Sequence, residues 1–380
     1  MNVTVAIDSF KGSLTTFEAG EAIAEGIKCF EPGSVVHVCP IADGGEGTVD
    51  AIVRASGGKL VTATVSDPLG RRIEAAYGIT NDGKTAVIEM SAAAGITLVN
   101  AEERNPLNTT TYGVGEMIAD AIARGCRSFV VGIGGSATND GGVGMLSALG
   151  FEFVDCNGNA IDIGAKGLKD LCSVRINNAL RELGECTFSV ACDVTNPLCG
   201  PNGASAVYGP QKGATPEMIT NLDAWLKNYA ELTKDVIADA DENAPGTGAA
   251  GGLGFAFVTY LGAKLRSGIE LVIKETGLEE YIKKSDIVIT GEGRLDSQSC
   301  MGKAPVGVAT LAKKYQKPVI ALAGCVTDDA RLCNDSGIDA FFPILKAPCT
   351  LDEAMDRQNA YRNLKDTAEQ AIRLACVFQK

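Results

Sequence analysis

Two hydrophobic periods alternate along this chain. Residues 2–7 (NVTVAI) read as a short β-rich run, and residues 16–30 place apolar side chains at helical spacing behind Thr15 and Glu18, the pattern of a capping box. A second strand over 35–41 and a helix reaching about residue 55 complete a βαβα opening, the rhythm of a parallel sheet. Beyond Gly57-Gly58 the pattern changes. Residues 59–65, 72–79 and 85–90 read as strands joined by the turns SDPLGR and TNDGK, and Asp82-Gly83 in the second turn signals antiparallel pairing. A helix over 111–124 leads into a buried strand at 129–133, a glycine-rich turn at 134–142 and a small-residue helix. A hairpin over 151–163, a buried strand over 186–192 and helices over 216–237, 254–265 and 268–276 follow. From residue 285 onward, strands at 287–290, 319–323 and 340–343 alternate with helices, and a last helix runs from about Leu351 to the end.

The simplest architecture is one doubly wound α/β domain built from both chain ends, residues 1–60 and 284–380, with a mixed α/β domain inserted over 61–283. In open α/β sheets ligands collect outside the carboxyl ends of the strands. The polar turns at 8–11, 43–47, 134–140, 193–196 and 291–296 all follow predicted strands, so the pattern predicts one shared cleft fed by both domains.

Composition narrows the chemistry. Of 380 residues 45 are glycine, about 12% against a usual ~7%, with no repeat period, which points to many functional turns. The 34 Lys and Arg against 47 Asp and Glu give a net charge of -13 without any basic run, so nucleic acid is not an expected partner. The most apolar segment, residues 249–263, is too short for the ~20 residues a membrane span needs. Thirteen cysteines, none spaced C-x-x-C, read as reduced and buried thiols of a cytoplasmic protein, and the N-terminus carries no export signal. His37 is the only histidine and falls in a predicted strand. Histidine-based hydrolysis and His-ligated metals are therefore nearly excluded, leaving carboxylates or lysine as bases and a hard, oxygen-bound ion such as Mg²⁺ as the metal.

The stretch from Phe129 to Gly150 carries the sharpest local signal. A strand exit followed by glycines and a helix start is a place for an anion, with Gly132, Gly134 and Gly135 allowing close backbone approach and Ser136, Thr138, Asn139 and Asp140 supplying polar groups. Lys11, Arg294, Lys212 and Lys303 are cations in glycine-bearing turns, and Asp43, Glu46, Asp193, Glu292 and Asp296 are carboxylates at strand ends. Cations, a metal-binding acid and a proton acceptor are the parts that phosphoryl transfer requires. No P-loop motif occurs. The run Gly132 to Ala137 fits G-x-G-x-x-A, with Glu152 or Asp155 near the spacing of a ribose-binding acid, so a dinucleotide oxidoreductase is the alternative. A two-lobed, non-catalytic binding protein is the third reading.

The strings DSFKGSLT (8–15), PIADGGEGT (40–48), NPLNTTTYGVGE (105–116), GIGGSATNDGG (132–142), ACDVTNPLCGPNGA (191–204), GTGAAGGLG (246–254) and TGEGRLDSQS (290–299) together resemble the bacterial glycerate kinase family of type 1. The resemblance covers nearly the whole chain. It implies ATP- and Mg²⁺-dependent phosphorylation of D-glycerate to 2-phosphoglycerate in glyoxylate or sugar-acid breakdown, with 3-phosphoglycerate as the alternative product. It also implies a flavodoxin-like domain from both termini and an inserted domain of restriction-endonuclease-like topology. On that reading, Ser9, Lys11, Arg294 and Asp296 hold the substrate, and Gly134, Gly135, Ser136, Thr138, Asn139 and Gly141 cradle the nucleotide phosphates. Asp193, assisted by Lys11 and Arg294, does the chemistry, and Asp43 and Asp296 hold the metal. Oligomeric state is not encoded in these motifs; a homodimer is the assembly kept open.

Overall fold

The computed structural model describes residues 1–377 as two compact units. The terminal unit comprises Met1–Asp43, Asp50–Ser56 and the chain from Gly268 onward; the middle unit comprises Gly44–Val49 and Gly57–Ser267. Among the described residues no helix is long and apolar enough to cross a membrane.

In the terminal unit five strands, β1 (Asn2–Ile7), β2 (Val35–Val38), β3 (Ile287–Leu295), β4 (Val319–Val326) and β5 (Ala340–Pro343), form an all-parallel sheet in the order β5-β4-β3-β1-β2. Residues 3–7 of β1, 287–291 of β3 and 319–323 of β4 are continuously buried, as required of strands covered on both faces. The helix Thr16–Phe30 begins at the expected capping box, with Thr15 and Glu18 satisfying each other's backbone N–H groups. Its buried stripe, Ala19, Ala22, Ile23, Gly26 and Ile27, packs on the helix Arg357–Val377, which contributes Leu364, Ala368 and Ile372.

Several expectations need correction here. The final helix is two helices, Leu351–Met355 and Arg357–Val377, because Asp356 leaves helical geometry and its carboxylate accepts the N–H of Asn359 at 2.9 Å. β3 extends to Leu295, beyond the expected end at 290, so Glu292 and Arg294 lie on the strand itself. The helices Gly268–Thr276 and Leu278–Lys284 go with the terminal unit, so the divide falls at 268 where 284 was expected. Their apolar faces cause this: Ile269 fills the space above Gly307, where any Cβ would lie 2.6 Å from it, and Leu271, Val272, Leu278 and Ile282 are buried.

The middle unit is built on a six-stranded mixed sheet. Strands Lys264–Arg266, Thr187–Ala191, Ser128–Gly132 and Thr85–Glu89 run parallel, and Arg72–Ile79 and Lys59–Ser66 add antiparallel at one edge, as the Asp82-Gly83 turn requires. Phe129, Phe188, Phe255, Phe257 and Tyr229 are buried in its core, and Phe129 and Phe188 stack at 4.7 Å. Residues 264–266 form a strand in place of the end of a helix. The preceding helix, Ala249–Leu261, contains three consecutive left-handed residues, Ala250, Gly251 and Gly252, at a position where apolar periodicity reads as uninterrupted. The expected hairpin over 151–163 is present in short form: Val154 and Ala160 form an antiparallel bridge, with the Asp155 N–H on the Asn159 carbonyl (2.8 Å) and the Ile161 N–H on the Phe153 carbonyl (3.0 Å). On its other side Glu152–Val154 pairs antiparallel with Ser173–Arg175. A disulfide, Cys156–Cys172, closes this two-stranded ribbon, which corrects the expectation that all thiols are reduced. Among the eleven free cysteines Cys39, Cys126 and Cys333 are buried, whereas Cys29, Cys325 and Cys349 are exposed.

The contact between the two long helices of the terminal unit is set by one missing side chain. A Cβ on Gly26 would lie 2.1 Å from the carbonyl oxygen of Lys365. Gly26→Ala is therefore expected to separate the helices and destabilise the terminal unit by about 1–3 kcal/mol, against the small gain in helix propensity. Thermal unfolding followed by circular dichroism checks this; an unchanged or raised midpoint contradicts the packing described.

Candidate functional site

The carboxyl ends of β1, β3, β4 and β5 in the terminal unit border a cavity of about 610 Å³. Asp8 and Ser9 follow β1 directly, Glu292 and Gly293 lie on β3, Gly324 and Cys325 on β4, and Ile344 and Leu345 follow β5; Asp43, from the loop after β2, joins them. β1 and β3 are the pair at which the strand order reverses, since β2 lies on one side and β4 and β5 on the other. A crevice opens at such a point because the connections leave in opposite directions. The structure thus brings Ser9, Lys11, Asp43, Arg294 and Asp296 together around one cavity, with Lys303 also on its wall.

Charge within the cavity is unevenly placed. Lys11 and Arg294 are exposed cations, whereas Asp8 is 7% exposed at the base of the turn. Burial pushes the Asp8 carboxyl up to about 7, and the neighbouring charges of Asp43 and Glu292 add to this against the N–H of Ser9 (2.6 Å) and Lys11. Burial likewise raises Glu292, whose carboxylate accepts the Ser299 hydroxyl while Asp296 and Asp43 repel it. Asp296 differs from both. Its Oδ1 accepts the N–H of Gln298 (2.9 Å) and its Oδ2 lies 3.3 Å from Arg294 Nε, so this side chain holds the turn and aims the guanidinium.

The donor set suits a hard cation, for mutual repulsion among carboxylates is relieved by one. Among the described residues, however, no three His, Cys, Asp or Glu side chains are grouped closely enough to hold a metal unaided. Mg²⁺ is commonly held by only one or two carboxylates, with water and phosphate oxygens in the remaining positions. Asp296 already carries the Gln298 N–H and the Arg294 guanidinium, and Glu292 the Ser299 hydroxyl.

In the middle unit the glycine-rich stretch behaves differently from its expected form. The helix after it, Val143–Ala148, starts only after ten intervening residues beyond the strand Ser128–Gly132, which removes the tight strand-to-helix turn of a dinucleotide fold. Its first N–H groups do not await an anion. Asp140, 1% exposed, accepts from Gly142 N (3.1 Å), Gly144 N (3.2 Å), Thr111 N (2.8 Å) and Thr111 Oγ1 (2.9 Å), so the protein's own carboxylate fills the place expected for a phosphate. Thr138, Asn139 and Gly141 are buried as well: Asn139 Nδ2 donates to Ser205, and a Cβ on Gly141 would lie 2.9 Å from the Tyr229 ring. Only Gly134 and Gly135 of the expected cradle are exposed, with Ser136 just beneath them at 8%.

Gly132 and Ala191 are partners on adjacent parallel strands, so Gly134 and Asp193 each follow that pair by two residues. Asp193 is exposed. Sequence reasoning singled out Asp193 and the glycines but passed over Asp8 as an individual site residue; its signal was a carboxylate directly after an apolar strand, and its burial was not readable.

The model of the glycerate kinase family matches residues 3–376. The chain is similar to the glycerate 2-kinase of Escherichia coli (strain K12), 50% identical over 96% of this chain and 95% of that protein. It is also similar to the glycerate kinase of Bacillus subtilis (strain 168), 45% identical over 99% and 98%. A crystal structure from Salmonella typhimurium LT2, assigned as glycerate kinase 2, superposes with a TM-score of 0.91 at 46% identity, covering 100% of this chain and 99% of that one. The chain belongs to the glycerate kinase family.

Proposed function

We propose that this protein transfers the γ-phosphate of ATP to D-glycerate, giving 2-phospho-D-glycerate and ADP. The observation that carries this reading is the terminal-unit cavity, where two cations suited to a small carboxylate stand over a buried aspartate within a chain of this family. Lys11 and Arg294 bind the glycerate carboxylate, and Ser9 adds a hydroxyl donor. Asp8, whose raised pKa suits proton acceptance near neutrality, takes the proton of the attacking hydroxyl. The exposed backbone at Gly134 and Gly135, with Ser136, receives the nucleotide phosphates. Asp43 and Glu292 would hold Mg²⁺, which when bound supplies charge neutralisation on the phosphates. Positioning and electrostatics then account for most of the rate.

The finer fold names are part of the same reading. The terminal sheet, numbered within its own unit, has the order two-one-three-four-five of flavodoxin-like folds. The middle unit, with central parallel strands and an antiparallel edge, is read as restriction-endonuclease-like. Eleven free cysteines among thirteen suit a reducing cytoplasm.

Purified protein is expected to release ADP only when ATP, Mg²⁺ and D-glycerate are all present, and added enolase should consume the product without a mutase. A product that needs the mutase is 3-phosphoglycerate and overturns the regiochemistry. Asp8→Asn is expected to lower kcat by about 10²-fold or more with the KM for ATP little changed. The same substitution at Asp193 decides between the two acids: large loss there, with Asp8→Asn active, returns the role of base to Asp193.

Gly134 offers a separate check on the phosphate turn. An added Cβ there meets nothing nearer than Gly45 Cα at 3.6 Å, so Gly134→Ala should fold normally. It should nevertheless raise the KM for ATP severalfold by holding phosphates off the backbone, while the KM for glycerate stays constant. Unchanged ATP kinetics would remove the turn from the site.

A further inference from the structure

Lys212 ends the short 3-10 segment Pro210–Lys212 in the middle unit, just before the left-handed Gly213. It is 3% exposed, an extreme burial for a lysine. Its Nζ donates to the carbonyl of Thr138 at 2.6 Å and to Ser136 Oγ at 3.3 Å. Among the described residues no carboxylate lies within ion-pair distance of it. Ser136 Oγ in turn accepts the N–H of Thr138 (3.0 Å) and contacts Thr138 Oγ1 (3.0 Å), so the ammonium group braces the end of the turn whose exposed members are Gly134 and Gly135.

A buried lysine bonded only to a carbonyl and a hydroxyl is costly to keep charged. Burial accordingly lowers its pKa to about 7, and the opposing pull comes from Asp140, the carboxylate that is itself enclosed by Thr111, Gly142 and Gly144. The other elements around it bring no compensating anion. Tyr208, on the neighbouring helix Ala204–Tyr208, gives its hydroxyl to Asn196, and Arg104 presents its backbone carbonyl beside Gly213 while its side chain is exposed. An anion arriving on the open side of Ser136 would supply the missing counter-charge without a direct contact.

We propose that Lys212 is the positioning cation of the phosphate turn: it fixes Ser136 and the Thr138 carbonyl from behind and becomes fully charged when a nucleotide phosphate occupies Gly134–Ser136. This rests on the phosphate role given above to that turn. The consequence is a proton taken up on nucleotide binding. At pH 8 the empty site holds lysine mainly as the free amine, and the phosphate charge favours the ammonium form; at pH 6 the lysine is already protonated and little uptake remains.

The test is calorimetric titration of the whole protein with Mg·ATP, without glycerate, in two buffers of different ionisation enthalpy at pH 6 and pH 8. The wild-type protein should take up a substantial fraction of a proton at pH 8 and much less at pH 6. Lys212→Met should remove most of the uptake at pH 8 and raise the KM for ATP about tenfold or more, leaving the KM for glycerate within about twofold. Equal proton uptake at both pH values in the wild-type protein overturns the proposal even if the variant fails to fold, and so does a variant with unchanged ATP kinetics and linkage. Should Gly134→Ala leave ATP kinetics untouched, the phosphate reading itself falls; should only the Lys212 results fail, that reading stands and this inference alone is lost.

Discussion

Negative charge gathered at the ends of parallel strands is the constraint on which the terminal unit depends. Asp8, Glu292 and Asp296 are placed by β1 and β3, with Asp43 beside them, and burial with mutual repulsion raises the carboxyls of Asp8 and Glu292. A sheet interior cannot relieve such charge; a cation and the turn cations can. Lys11 and Arg294 stand on the same cavity, and Asp296 orients the latter. Such a cluster costs folding energy, because buried carboxylates are crowded together without full compensation.

The middle unit buries a cation instead: Lys212 is held by a carbonyl and a hydroxyl, with the charge of Asp140 drawing it toward the ammonium form. Asp140 is committed to backbone N–H groups, Thr138 and Asn139 are enclosed, and Lys212 supplies the only ammonium group bonded to the turn among the described residues. Close packing makes this rigid. Gly251 and Gly252 lie against Thr138 and Gly141 so closely that a Cβ on Gly251 would be 2.0 Å from the Thr138 carbonyl, which explains why GTGAAGGLG needs its glycines. The left-handed Ala250 in the same run accepts a conformation that its neighbours enforce.

Much of this was legible in the residues. The capping box at Thr15 and Glu18, the antiparallel edge marked by Asp82-Gly83 and the βα rhythm at both ends are local signals, and each reappears in the structure. What the residues hid was long-range. Asp140 reads as a ligand-facing acid until its five hydrogen-bond donors are located, one on Thr110 and two on Thr111. Pairing of 152–154 with 173–175, and the disulfide between cysteines sixteen residues apart, lie beyond the reach of turn chemistry. The burial of Asp8 and Lys212 depends on neighbours distant in sequence, so side chains that look like solvated turn residues prove to be enclosed.

The most direct measurement is a crystal structure of the protein with Mg²⁺, a non-hydrolysable ATP analogue and D-glycerate. The glycerate carboxylate is expected on Lys11 and Arg294 in the terminal-unit cavity, its hydroxyl within hydrogen-bond distance of Asp8, and the metal about 2.0–2.1 Å from an oxygen of Asp43 or Glu292. Glycerate bound elsewhere, with that cavity holding solvent alone, would contradict it.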